Sequence, residues 1–85
     1  MSYFAYMVEC SDGTIYSGYA ADVNKRVAVH NSGAGAKYTR SRLPVKLMYF
    51  EEFEDKSGAM RREAELKKLS HAAKKALARE MKKTQ

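Results

Sequence analysis

Two β-prone runs, Phe4 to Cys10 and Thr14 to Ala20, stand either side of the tight-turn signal Ser11-Asp12-Gly13. So short a connection permits only an antiparallel hairpin, which fixes how the chain must begin. Tyr6 and Tyr16, ten residues apart across the turn, can then be neighbours on adjacent strands and point to one face. A strand tyrosine is ordinarily a packing residue, so the pair alone says little about chemistry. Gly18 is poor strand material and marks either a bulge or a place where a ligand comes close to the backbone.

Downstream, Asp22 is placed to cap a helix running to about Asn31, with Gly33 past its end. Ser32 to Leu43 is a long basic loop with room for a helical turn, and after Pro44 the run Val45 to Phe50 reads as a third strand. Asp55 or Ser57 caps a second helix reaching about Leu69; Ser70 caps a third, rich in Ala and Lys, to about Lys83. The order β-β-α-β-α-α predicts an α/β (α+β) fold, a small three-stranded sheet with helices packed on it. Eighty-five residues support one hydrophobic core, so residues 1–85 form a single domain, with its centre at about 3–69 and a basic helix at about 70–83. A chain this small offers a shallow groove, not an enclosed ligand cavity.

The net charge of +6 is unevenly placed. Residues 1–60 carry seven Lys/Arg against seven Asp/Glu, whereas residues 61–85 carry nine against three. Between Val23 and Phe50 there are six basic residues and no acid, a pattern that suits a phosphate-bearing partner because no carboxylate repels it. The longest apolar run is far below a membrane span and has no signal-peptide features. A lone Cys10 cannot form an internal disulfide, so a reducing cytoplasm is the expected location.

On the first helix, Arg26 and His30 are four apart and share a face, where together they can hold a phosphate and assist proton movement. On the second, Glu63 borders the apolar stripe of Ala59, Met60 and Leu66, where a carboxylate must be paired or bound to a cation; Lys67 at i+4 is the ready partner. Glu65 lies off that face, within reach of Arg61 or Lys68, and reads as a surface charge. Other site classes compete poorly. Gly33-Ala34-Gly35 completes no nucleotide fingerprint, Cys10 has no evident His partner, and two histidines with one cysteine make no zinc site.

In order and spacing these segments resemble the GIY-YIG nuclease domain. Phe4-Ala5-Tyr6 and Tyr16-Ser17-Gly18 stand where that family has its two tripeptides, although the first keeps only its tyrosine and the second has Ser17 at its centre. Asp22 to Asn31 resembles the helix with the family's arginine and histidine, Ala59 to Ala64 the segment with its metal-binding glutamate, and Gly35 to Arg40 a loop of short stand-alone bacterial members. The resemblance implies metal-dependent endonuclease activity on nucleic-acid phosphodiesters, structure-selective or nonspecific, in a setting such as DNA repair or recombination. It implies Tyr6, Tyr16, Arg26, His30 and Glu63 as catalytic residues, with Glu63 holding Mg²⁺ or Mn²⁺ and water filling the remaining positions. Either Tyr6 or Tyr16 would orient or deprotonate the attacking water; forming a phenolate at pH 7 costs about 4 kcal/mol unless nearby positive charge lowers it.

Lys37, Tyr38, Arg40, Arg42, Lys67 and Lys68 are the expected nucleic-acid contacts, with Lys74 and Lys75 adding charge. DNA stands ahead of RNA as partner, a membrane is not expected, and the protein is expected to act as a monomer. The alternative is a catalytically weak or inactive nucleic-acid-binding module on the same scaffold.

Overall fold

The computed structural model describes residues 2–83. Its hairpin closes through Cys10 N–H donating to the Thr14 carbonyl at 2.8 Å and Gly13 N–H to the Cys10 carbonyl at 3.0 Å. Gly13 takes φ +84°, a conformation that a side chain would strain. Asp12 Oδ1 fixes the turn by accepting from the Thr14 amide (3.1 Å) and hydroxyl (2.6 Å).

The strands so joined are β1 (Tyr3–Glu9) and β2 (Ile15–Ala20), and β3 (Lys46–Phe53) pairs with the other side of β1. The sheet is antiparallel throughout, in the order β2-β1-β3. Tyr6 lies opposite Gly18 and Val8 opposite Tyr16, so the two tyrosines are diagonal neighbours on one face. Among the described residues the register shifts between β1 and β3, at Met7/Val8, and the pairing of β1 with β2 has no shift. Gly18 therefore sits in regular pairing opposite Tyr6, which removes the bulge from the two readings that the sequence offered there. The third strand also runs three residues beyond the predicted Phe50, because Glu51, Glu52 and Phe53 pair with Ala5, Phe4 and Tyr3.

Central position explains why β1 reads as a continuous apolar run: Ala5, Tyr6, Met7 and Val8 are all buried because both sheet faces are covered. Tyr6, Val8 and Ala20 pack with Val23 and Val27 of α1 (Val23–Asn31) on one face. On the other, Ala5 and Met7 pack with Leu66 of α3 (Lys56–Lys68) and Leu77 of α4 (His71–Lys83). The basic helix α4 thus belongs to the core packing of the second face.

Local signals set the helix starts. Asp22 Oδ1 accepts from Lys25 N–H at 3.0 Å; Asp55, not Ser57, caps α3 by accepting from Gly58 N–H at 2.8 Å; Ser70 Oγ accepts from Ala73 N–H at 3.1 Å. After α1, Gly33 turns the chain at φ +86°. The basic loop that follows contains one helical turn, α2 (Lys37–Arg40). Among the described residues no helix is long and apolar enough to cross a membrane.

Candidate active site

An open groove of about 390 Å³ is lined by residues of β1, β2, α1 and α3. Tyr6 comes to it from β1, Tyr16 and Gly18 from β2, Arg26 and His30 from α1, and Glu63 from α3. Three consecutive elements and α3, distant from them in sequence, thus bring all five predicted catalytic side chains to one place.

Tyr6 and His30 form its buried floor. They are 2% and 1% exposed, and the Tyr6 hydroxyl shares a 2.9 Å hydrogen bond with His30 Nε2. Burial pushes the Tyr6 phenol well above the ordinary tyrosine range; Tyr16 and Glu63 add to the rise, and Arg26 opposes it. Burial also lowers the His30 pKa, and the Arg26 charge lowers it further. Both groups are therefore neutral at pH 7.

Gly18 makes room for this pair. A Cβ there would lie 2.6 Å from the Tyr6 hydroxyl oxygen, so the close approach sensed in the sequence is made by the protein's own phenol. Tyr16 is half-buried and meets the His30 ring edge-to-face at a centroid distance of 5.4 Å and an interplanar angle of 69°.

Two charged groups border the groove. Arg26 is exposed, and its side chain enters no ion pair among the described residues. Glu63, with 18% of its side chain exposed, takes Lys67 Nζ at 3.3 Å, the partner that its spacing offered. Glu65 instead pairs with Arg62 at 3.0 Å, because Arg62 also reaches Glu51 at 2.9 Å and is held between the two. Among the described residues no group of three or more His, Cys, Asp or Glu could hold a metal. A cation here would have one protein carboxylate, that of Glu63, and an oxygen-rich remainder of water and phosphate, which suits Mg²⁺ or Mn²⁺.

The predicted nucleic-acid contacts divide. Lys37 and Arg40 lie exposed on α2, and Lys67 and Lys68 on α3. Tyr38 is 40% exposed and stacks on Tyr16 at 6.0 Å. Arg42 is engaged within the fold: it pairs with Asp12 at 3.1 Å, donates to the Tyr38 carbonyl at 2.7 Å and lies 4.1 Å over the Tyr38 ring. Residues not foreseen complete the site. Thr39, fully buried, places Oγ1 3.1 Å from His30 Nδ1, and Gly35 and Ala36 line the groove. A threonine in a basic loop carries no signal of such a contact; only the fold of α2 back onto α1 creates it.

Residues 2–76 match the GIY-YIG catalytic domain. A UPF0213 protein of Halobacterium salinarum is 61% identical over 72 residues, covering 85% of this chain and 94% of that protein. A UPF0213 protein of Streptococcus agalactiae is 56% identical over 71 residues, covering 84% and 81%. The solution NMR structure of the UPF0213 protein BH0048 from Bacillus halodurans superposes with a TM-score of 0.56 at 47% identity, covering 91% of this chain and 82% of that one. The chain belongs to the GIY-YIG family, a family of nucleases, with short UPF0213 proteins as its relatives.

Proposed function

We propose that this protein is a metal-dependent endonuclease that hydrolyses phosphodiester bonds in DNA, selecting by structure or not at all. The observation that carries this reading is the convergence of Tyr6, Tyr16, Arg26, His30 and Glu63 on one groove. The exposed Arg26 guanidinium, without an ion-pair partner among the described residues, takes a non-bridging phosphate oxygen and offsets charge developing there. Glu63 is the residue that would hold Mg²⁺ or Mn²⁺. Such an ion, when bound, supplies Lewis-acid neutralisation of the phosphate and of the leaving oxygen.

Burial and a raised pKa make Tyr6 a poor base, which supports Tyr16, the more open tyrosine, as the one that positions the attacking water. Lys37, Arg40, Lys67 and Lys68, flanking the groove, grip neighbouring backbone phosphates without reading bases. In this reading the protein acts as a monomer in a reducing cytoplasm, where the buried Cys10 thiol stays free.

The test is incubation with Mg²⁺ or Mn²⁺ and single-stranded, duplex, flapped and branched DNA and RNA. Arg26→Ala should slow cleavage by about 10²–10³-fold, and Glu63→Ala should remove the metal-dependent activity. Cleavage that survives both substitutions would place the chemistry elsewhere. Salt-sensitive binding with no cleavage of any substrate would leave a nucleic-acid-binding module on the nuclease scaffold.

A further inference from the structure

We propose that the loop over residues 35–39 locks His30 in one tautomer, unprotonated at Nδ1 and protonated at Nε2, so that Tyr6 receives a hydrogen bond and turns its own proton toward the groove. The geometry rests on three polar groups around one buried ring. Ala36 N–H points at Nδ1 from 3.4 Å, the Thr39 hydroxyl lies 3.1 Å from Nδ1, and Tyr6 Oη lies 2.9 Å from Nε2.

A hydroxyl can donate or accept, so Thr39 alone does not decide the tautomer. A main-chain N–H can only donate, and one aimed at Nδ1 opposes a proton there. Thr39 Oγ1 can also give its proton to the Ala36 carbonyl at 2.9 Å, whose two lone pairs accommodate it beside Thr39 N–H at 3.1 Å. With Nδ1 unprotonated the Ala36 N–H has its acceptor, and the Thr39 proton can go to Nδ1 or to the Ala36 carbonyl, so no donor is left without an acceptor. Nε2–H then donates to Tyr6, and the Tyr6 hydroxyl hydrogen faces the space lined by Arg26 and Tyr16.

Gly35 permits the approach: a Cβ there would lie 2.3 Å from Nδ1 and 2.8 Å from the His30 Cα. The groups facing the ring from the elements around it are Tyr6 from β1, Tyr16 from β2, Arg26 from its own helix and Thr39 from α2, with Glu63 of α3 across the groove. None supplies a carboxylate against Nδ1. Tyr6 thus becomes a neutral hydrogen-bond donor to a phosphate oxygen beside Arg26, and Thr39 and Ala36 are positioning residues. This assignment of a role to Tyr6 rests on the nuclease reading; the tautomer itself does not.

The full chain with ¹⁵N-labelled histidine, observed by long-range ¹H–¹⁵N NMR at neutral pH, tests the lock directly. The expected His30 ring is protonated at Nε2 alone. Tyr6→Phe should remove the hydrogen-bonded downfield shift of that proton, and Gly35→Ala should bring in the second tautomer by pushing Ala36 N–H away. A wild-type ring protonated at Nδ1, or divided between the two forms, overturns the proposal. Thr39→Val should slow cleavage about tenfold or more, with Thr39→Ser restoring it; undiminished cleavage in Thr39→Val would remove Thr39 from the lock. A protein that cuts nothing yet shows the Nε2–H ring would end the nuclease reading and leave the lock standing.

Discussion

The phenol of Tyr6 fills the volume that a side chain at position 18 would need. Its hydroxyl oxygen and Cζ would stand 2.6 and 2.7 Å from a Cβ there, and the ring cannot swing aside because it is buried and bonded to His30. Gly18→Ala should therefore cost about 1–3 kcal/mol of stability, the usual penalty of overpacking a tight core. Urea unfolding measures it, and an unchanged midpoint would mean that Tyr6 has room to move. The sequence marked Gly18 as a bulge or as a ligand's close approach; the Tyr6 phenol takes that place instead, because the register sets Tyr6 opposite Gly18. Helical spacing put Arg26, His30 and Glu63 on definable faces, and the family resemblance marked them as site residues. Thr39 and Gly35 were not legible, because their role exists only through contact with a ring on another element.

Between elements, the end of α1 is tied to the start of β3 by one side chain. Asn31 Nδ2 donates to the Val45 carbonyl at 3.0 Å, and Val45 N–H donates to Asn31 Oδ1 at 2.7 Å, so the amide imitates a strand partner where the ladder has ended. Asn31→Ala removes both bonds and leaves the backbone groups of a buried residue unpaired, a loss of about 2 kcal/mol at roughly 1 kcal/mol each. Faster hydrogen exchange at the Val45 amide should accompany it; an amide as protected as in the wild type would show that something else holds the junction. Such long-range ties separate what could be read from what could not. The hairpin and the caps at Asp22 and Ser70 are local and were legible. The extension of β3 through Phe53 depends on neighbours distant in sequence, whereas Asp55 and Ser57 both offer a capping oxygen locally and the sequence alone does not choose between them.

The whole molecule carries this buried polar floor into its response to pH. His30 is held neutral by burial and by Arg26, with its pKa lowered. As pH falls below the ordinary histidine value of about 6.5, the unfolded chain takes up a proton that the fold resists. The unfolded state then binds more protons, so stability declines on the acid side. Tyr6 is shifted the opposite way, chiefly by burial, and Tyr49 is raised as well, by burial and its hydrogen bond to Glu51. Above about pH 10 the unfolded chain loses phenolic protons that the fold keeps, so the native state binds more and stability declines again. Unfolding free energies measured by urea between pH 5 and 11 should trace a plateau from about 6.5 to 10 with a fall on either side. Tyr6→Phe should make the alkaline fall shallower without abolishing it, because Tyr49 remains. Flat stability from pH 6.5 to 5 would contradict a buried neutral imidazole at position 30. The groove's floor should then come apart with the acid flank, because the proton that destabilises the fold is the one that would displace the Ala36 N–H from His30 Nδ1.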